Sequence, residues 1–231
     1  MSSISALNFE QHSELKINSD SPYAEFYNKN VIPVIAYEYV NCTINFPIFF
    51  TKRIDNGEFD SIALVGFSEN ENLIFNEKDI LSTYIPMEMR RGPFYIAKSD
   101  DGHDLIAIDT ANIKLSKETG EPLFYEDGTP TKLLNDINAF LSSMSQHRRV
   151  HDAFIELVTE LDLFSEVDLN IKSEVMGDSK LNGLYKVDEQ KLAKLADENV
   201  IKLHKFGAFP AIYAHLNSLK TIDKLLKIKH G

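Results

Sequence analysis

The stretch "TPTKLLNDINAFLSSM", residues 129–144, is where the hydrophobic period of the chain changes. Within it, apolar side chains recur every three or four residues, which is typical of one face of an α-helix. The residues of this face are Leu133, Ile137, Phe140, Leu141 and Met144. A second helical stripe follows from Phe154 to Phe164. Helices are therefore predicted to dominate the chain after about residue 128, and strands before it.

The chain ahead of this stretch consists of short apolar runs separated by polar turns. The clearest pair is "PFYIAKS" and "DLIAIDT", residues 93–99 and 104–110, with Asp-Gly between them. This dipeptide predicts a tight hairpin, because glycine accepts the positive φ that such a turn requires. Since successive strands here have no helices between them, the pattern favours antiparallel pairing over a βαβ arrangement.

One further alternating pair, "VDLNIKS" and "GLYKV", residues 167–173 and 183–187, interrupts the helical pattern of the second half. The predicted fold class is therefore α+β, with a mainly antiparallel β-sheet in the N-terminal half and helices plus a β-hairpin in the C-terminal half. No linker or repeat divides the chain, so a single domain is predicted over residues 1–231. Residues 1–22 are polar and are expected to form a partly ordered N-terminal segment.

Charge and cysteine content limit the class of protein. The 231 residues carry a net charge of −11, which argues against nucleic acid as a partner because phosphate binding needs a basic face. The lone cysteine, Cys42, allows no disulfide within the chain and fits a reducing compartment. The N-terminus does not resemble a secretory signal, and no apolar run reaches the roughly 18 residues of a membrane helix. We therefore expect a cytoplasmic protein without a transmembrane segment.

The usual signatures of catalysis and of cofactor binding are missing from the sequence. It contains neither a glycine-rich phosphate loop nor a G-x-S-x-G turn. The run "HRRVH" places His147 and His151 on one helical face, but Arg148 stands where a zinc protease has its general-base glutamate. We interpret this run as a solvated helix junction, and Cys42 as a small buried side chain. No metal, cofactor or catalytic residue is predicted.

The most informative segment for function is "YIPMEMRRGPFYIA", residues 84–97. Because an arginine never loses its charge, Arg90 and Arg91 both need partners in this apolar surrounding. In one interpretation they point opposite ways along an extended chain, one to solvent and one to an acid such as Glu88 or Glu38. In the other they bind a carboxylate or phosphate, with nearby aromatic rings as walls. The rings concerned are those of Tyr84, Phe94 and Tyr95.

The run "YIPMEMRRGPF" resembles the Y-[VI]-P-x-x-x-R-R-x-P-F signature of the bacterial SapC family, named for a protein associated with surface-layer formation. The resemblance extends over almost the whole chain. It includes "LNFEQHSELKI" with His12, "VIPVIAYEYVNCTINFPIFF" and "LFYEDGTPTKLLNDINAFL". It also includes the closing block from Tyr185 to Leu226, with Tyr213 and His215 in register. One departure is clear, since the tryptophan that usually precedes the arginine run in the family is absent here.

The resemblance implies a soluble protein with no established catalytic activity. Genes of the family often lie near those of flavin-dependent tryptophan halogenases, cupin-like iron and 2-oxoglutarate oxygenases, and TonB-dependent receptors. This neighbourhood implies a bacterial accessory role in modifying or handling a peptide or a surface component. Such neighbouring halogenases and oxygenases are accordingly the expected protein partners.

The leading hypothesis is a non-catalytic accessory protein that binds an anionic peptide or protein partner. The predicted ligand-binding residues are Arg90, Arg91, Tyr84, Phe94, Tyr213, His215 and His12. One alternative is an enzyme acting on a peptide or small acid, with the arginines fixing the substrate and His12 or His215 as general base. Another is a structural component of a surface assembly.

Two of these residues are predicted to differ in burial. Tyr213 and His215 lie two residues apart, so on a helix their side chains diverge by about 200°. His215 shares the apolar stripe of Leu219 and Ile222, whereas Tyr213 falls off it. We therefore expect His215 to face the core and Tyr213 to remain free to meet a partner.

Overall fold

The computed structural model describes residues 3–18, 23–99, 101–171 and 179–230, without the side chains of residues 170, 171 and 179. The strands in chain order are β1 (Ile4–Ala6), β2 (Lys16–Ile17), β3 (Val31–Pro33), β4 (Ile48–Lys52), β5 (Phe59–Leu64), β6 (Phe94–Lys98), β7 (Asp104–Asp109), β8 (Leu115–Ser116), β9 (Glu121–Pro122), β10 (Phe164–Ile171) and β11 (Ser179–Val187). The α-helices are α1 (Phe9–His12), α2 (Tyr39–Cys42), α3 (Met87–Arg91), α4 (Lys132–Glu160), α5 (Glu189–Ala193), α6 (Asp197–Phe206), α7 (Phe209–Ser218) and α8 (Ile222–His230).

The fold class is α+β, as the sequence predicted. Strand pairing within the sheets is antiparallel. Most strands precede α4, and the longer helices begin with it. The change of hydrophobic period near residue 129 therefore located the boundary between the two kinds of structure to within a few residues.

The chain forms two compact units. The first comprises Met1–Glu25 and Met87–Gln146, and the second comprises Phe26–Pro86 and His147–Gly231. Helix α4 continues from the first unit into the second. Whether these units fold as the single domain predicted from the sequence stays a prediction.

The first unit contains two small sheets with strand orders β1-β7-β6 and β8-β2-β9. The predicted hairpin of residues 93–110 is present as β6 and β7. Its side chains alternate, and one face packs against the predicted apolar face of α4. The buried residues of this cluster are Phe94, Ile108, Leu123, Leu134 and Leu141, with Ile96, Ile106, Ile137 and Phe140 partly buried around them.

The second unit contains one five-stranded sheet with the order β10-β11-β4-β5-β3. The predicted C-terminal hairpin is present as β10 and β11, and it extends the sheet that the earlier strands form. The turn of this hairpin lies outside the described residues. The largest fully buried side chains here are aromatic: Tyr39, Phe46, Phe49, Phe50, Phe67, Phe75 and Phe154.

The interpretation of "HRRVH" as a solvated helix junction is wrong. Residues 147–151 lie inside the continuous helix α4, and the imidazole of His151 is fully buried. No Gly or Pro interrupts the chain between the two helical stripes, so nothing in the sequence ends the helix there.

Candidate anion-binding site

The arginine pair lies on the short helix α3 rather than on an extended chain. Met87 and Met89 are buried and fix the inner face of the helix. The helix ends at Arg91 because Gly92 and Pro93 follow, and a residue before proline is disfavoured in helical conformation. Successive helical residues are about 100° apart, so the two arginine side chains leave α3 in different directions.

Arg91 is held in place by contacts on several sides. Its Nε donates to Glu88 Oε2 at 2.8 Å, and its Nη2 donates to Glu88 Oε1, which makes a two-pronged ion pair. Its Nη1 donates to the carbonyl of Phe94 at 3.2 Å. The guanidinium also lies 4.0 Å from the ring centroid of Tyr95. The side chain is only 18% exposed, so most of this arginine is buried. The carboxylate of Glu88 compensates its charge.

Arg90 has a different environment. It is exposed, and its guanidinium lies 4.8 Å from the ring centroid of Phe140 on α4. Within the ranges that the structure describes, no carboxylate forms an ion pair with it. Its donors therefore face water, on an aromatic support that limits the freedom of the side chain.

A lysine that the sequence analysis missed lies beneath the arginine helix. Lys114 is 7% exposed, and its Nζ donates to the carbonyls of Gly92 at 3.1 Å and Met89 at 3.3 Å. Its counter-ion is Glu25, whose Oε1 lies 3.5 Å away. Burial lowers the pKa of Lys114, and the attraction of Glu25 opposes that change. The lysine thus stabilises the C-terminal end of α3, where carbonyl groups lack helical partners.

Glu25 is in turn fixed by two further contacts. Its Oε2 accepts a hydrogen bond of 2.7 Å from the side-chain amide of Asn112. Gly92 lies so close that a Cβ at this position would collide with Glu25 Oε1. The local charges then pair as Glu88 with Arg91 and Glu25 with Lys114. Arg90 is left as a positive charge without such compensation in the described part of this unit.

Of the aromatic walls predicted for the arginines, Tyr95 contacts Arg91 directly. Phe94 is only 2% exposed because its ring belongs to the core of the first unit, and its carbonyl is what meets Arg91. Tyr84 belongs to the second unit. There its hydroxyl donates to Glu38 Oε1 at 2.9 Å, and the buried Glu38 also accepts a hydrogen bond from the Ile35 backbone.

Tyr213 and His215 are also in the second unit, and their predicted difference in burial is confirmed. Tyr213 is 52% exposed and His215 is 0% exposed. The Nε2 of His215 accepts a hydrogen bond of 3.1 Å from the Val187 backbone N–H. Burial lowers the pKa of this imidazole to about 3. His215 is therefore a neutral core histidine at physiological pH.

Tyr213 borders an apolar cavity of about 300 Å³ between the last helices. The lining includes Leu192, Leu195, Val200 and Phe209, and the ring of Phe209 stacks on that of Tyr213. Whether this exposed tyrosine meets a partner stays a prediction.

His12 is in the first unit and is 3% exposed. Its Nδ1 lies 3.2 Å from the backbone nitrogen of Asn8, and its Nε2 lies 3.4 Å from Ser5 Oγ. The side chain thus ties together the segment that connects β1 and α1.

The two histidines of "HRRVH" have protein groups as partners. His151 accepts a hydrogen bond from the Ala36 N–H through Nδ1, at 3.0 Å, and its Nε2 lies 3.1 Å from Asp60 Oδ1. His147 stacks on Tyr37 with ring centroids 3.6 Å apart. Among the residues that the structure describes, no three potential metal-binding side chains form a group. Cys42 is fully buried, and burial raises the pKa of its thiol.

One interpretation of the sequence predicted that the two arginines would have different partners, but it did not predict the backbone conformation between them. One arginine does reach solvent and the other does pair with Glu88, but the backbone between them is helical. Lys114 carried no usable signal, since a lysine in the polar-flanked run "ANIKLS" reads as an exposed residue. Its burial depends on contact with Glu25, which lies about 90 residues earlier in the sequence and which the fold brings next to it.

Comparisons with known proteins give one family match. A family model described as SapC matches residues 7–225, nearly the full length of the chain. No curated protein and no solved structure matches it. In the part of the chain that the structure describes, no helix has both the length and the apolar character needed to cross a membrane.

Proposed function

The chain belongs to the SapC family, and we propose that it acts as a non-catalytic accessory protein that binds an anionic peptide or protein partner through Arg90, which the internally paired Arg91 helps to hold in place. The observation that carries this proposal is that the positive charges around α3 differ in whether a carboxylate neutralises them. Arg91 and Lys114 each have a carboxylate partner, whereas Arg90 presents an exposed guanidinium on the ring of Phe140.

The preorganisation of the helix supports the same function. Arg91 is fixed by Glu88 and Tyr95, and Lys114 holds the carbonyls at the end of α3. A guanidinium that is already ordered loses little freedom when it meets a carboxylate, which favours affinity. Arginine also offers a planar pair of donors that matches a carboxylate group.

The positions of the two candidate general bases favour binding over proton transfer. His12 and His215 are both buried, and the Nε2 of His215 already accepts a backbone hydrogen bond. A general base has to reach the proton that it abstracts. Because both imidazoles are buried, neither is exposed to take a proton from a bound ligand.

As partners we propose acidic segments of the modifying enzymes that the family resemblance implies, flavin-dependent halogenases and iron and 2-oxoglutarate oxygenases. The test measures the affinity of the purified protein for each enzyme encoded near its gene. Replacing Arg90 by Gln should weaken binding about tenfold, the scale of one lost charged hydrogen bond. The melting temperature should stay within about 2 °C, because Arg90 makes few internal contacts.

Lys132→Gln is the matched control. Lys132 lies on the same unit, is exposed, and loses the same charge when it is replaced by Gln. If both variants weaken binding equally, the arginine has no specific role and the proposal fails. Binding that is unaffected by Arg90→Gln would also overturn it.

A further inference from the structure

Strand β6 is separated from the arginine helix by Gly92 and Pro93, and it lies at the edge of its sheet. Strand β7 pairs with one side of it, and in the described part of the chain no strand pairs with the other side. An open edge of this kind presents backbone donors and acceptors to an extended chain.

The backbone bonds at both ends of β6 show which residues face β7. The Asp109 N–H donates to the carbonyl of Pro93 at 3.0 Å. At the other end, the Ser99 N–H donates to the carbonyl of His103 at 2.9 Å. The odd-numbered residues of this segment therefore turn their backbone groups towards β7.

The even-numbered residues face the open edge. Ile96 lies opposite Ile106, and the carbonyl of Ile106 turns away from β6 to accept from the Leu7 N–H at 2.8 Å. In an antiparallel ladder such a pair exchanges no hydrogen bonds. The N–H and C=O of Ile96 accordingly point outwards from the sheet.

The two arginines lie on opposite faces of this strand at its start. Arg90 rests on Phe140, which packs on the same side of the sheet as Phe94. Arg91 rests on Tyr95, and successive residues of a strand face opposite sides. Arg91 also occupies the first outward carbonyl, that of Phe94, so the open edge begins at Ile96.

We propose that the edge of β6 captures an extended acidic segment of a partner protein by strand addition, so that an acidic side chain of that segment meets the exposed Arg90 on the face of the sheet that carries Phe140. This inference rests on the proposed function and adds the mode of recognition. Adjacent residues of an added strand project to opposite faces, so of two adjacent acidic residues one projects to the face of Arg90. Charge complementarity then selects acidic strands from the many that an open edge could pair with.

The probe is the peptide Thr-Val-Glu-Asp-Val-Thr-Val-amide with fluorescein attached to its N-terminal amine, and binding to the full chain is followed by fluorescence anisotropy. Two N-methylated forms carry the methyl groups on alternating sets of backbone nitrogens. In strand addition only one set faces the protein edge. One form should therefore lose at least about tenfold in affinity, while the other should bind within about threefold of the parent.

A variant of the protein supplies the second arm. Ile96→Pro removes the outward N–H, and the neighbouring residues that pair with β7 keep theirs. It should abolish peptide binding, whereas Ile96→Val should bind as the wild type does. Melting curves of both variants report whether the fold is intact, and the N-methylated peptides give the same answer without any change to the protein.

The outcomes distinguish failure of strand addition from failure of the proposed binding function. Binding that needs Arg90 but tolerates both methylation patterns overturns strand addition and leaves the proposed function standing. Equal binding of a Gln-Asn peptide in place of the Glu-Asp peptide overturns the requirement for acidic residues, and with it both proposals. No binding of the acidic peptide overturns strand addition. Self-association of the unliganded protein that Ile96→Pro abolishes would assign the edge to a second copy of the chain and also overturn the inference.

Discussion

Two groups of charged residues, one in each unit, use an arginine in different ways. In the second unit Arg148 donates to Asp60 Oδ2 at 2.7 Å and to Asp152 Oδ1 at 2.8 Å, and the buried His151 completes the group. In the first unit Arg91 is similarly held by Glu88, but its neighbour Arg90 has no such partner among the described residues.

The difference lies in how completely the charges are compensated. Burial alone would raise the pKa of Asp60, but its hydrogen bonds from His151 and Arg148 outweigh that and lower the pKa to about 2. Each member of this group is bonded to another part of the second unit, as expected of residues that stabilise a fold. Around α3 the charge of Arg90 is left exposed and without a carboxylate partner among the described residues. Similar residue types therefore predict opposite responses to mutation.

The largest effect should come from Asp60→Ala in the second unit. It leaves Arg148 and the fully buried His151 without their common acceptor. The free energy of unfolding should fall by about 3 kcal/mol, the scale of a broken buried pair. Chemical denaturation at pH 7 measures it. Asp168→Ala, which removes an exposed ion pair with Lys180 in the same unit, should cost less than about 0.5 kcal/mol. Equal losses in the two variants would contradict the contrast between them.

The next effect concerns His215 and acid. The folded pKa of about 3 lies below the unfolded value of 6.5, so the unfolded chain takes up the proton first. The stability that neutral His215 contributes is complete above pH 6.5 and is lost as the pH falls towards 3. At pH 5 the loss should be about 2 kcal/mol.

Urea unfolding at pH 7.5 and pH 5 tests this effect. His215→Gln keeps an acceptor for the Val187 N–H but cannot take up a proton. This variant should be less stable than the wild type at pH 7.5, and it should lose less between the two pH values. An identical loss in both proteins would show that other groups cause the acid sensitivity.

In the first unit, Arg91→Lys should lower the free energy of unfolding by about 1.5 kcal/mol. Lysine keeps the charge but loses the two-pronged bond to Glu88 and the stacking on Tyr95. Arg90→Lys is the matched control and should change stability by less than about 0.5 kcal/mol. Thermal and urea unfolding of both variants compare the two arginines directly. A larger loss for Arg90→Lys would reverse the roles assigned to them.

The smallest effect should follow from Gly92→Ala, at about 1 kcal/mol. The added methyl group displaces the Glu25 carboxylate and weakens its contacts with Lys114 and Asn112. In a Glu25→Ala background the same change should cost almost nothing, because the obstacle is gone. A double-mutant cycle measures this coupling. Additive losses would mean that Gly92 is required for another reason.

The fold was largely predictable because its signals are local. Three signals depend only on neighbours in the sequence. They are the change of hydrophobic period at the start of α4, the Asp-Gly turn of the β6–β7 hairpin and the apolar stripe that contains His215. The division into two units was not predictable in this way. Each unit is built from two distant segments, and no change of composition marks where the chain passes from one to the other.

The candidate site was predictable only in part, for a similar reason. The arginine run identified α3, and charge alone indicated that one arginine would need an acid. The roles of Lys114, Glu25 and Phe140 depend on long-range packing that a single sequence does not encode in any short pattern. The same is true of the open edge of β6, since an edge strand and a central strand of equal composition look alike.

The pairing of β1 with β7 has a consequence for synthesis of the chain. Ile4 lies opposite Asp109, and at roughly 5–20 residues per second β1 leaves the ribosome about 5–20 s before its partner. In that interval β3, β4 and β5 emerge, although β11, which borders β4, follows much later. The sheet of β1, β7 and β6 can be completed once β7 has been made, whereas the five-stranded sheet has to wait for β11. The side of β4 that pairs with β11 therefore stays without its strand partner until Ser179–Val187 has been made.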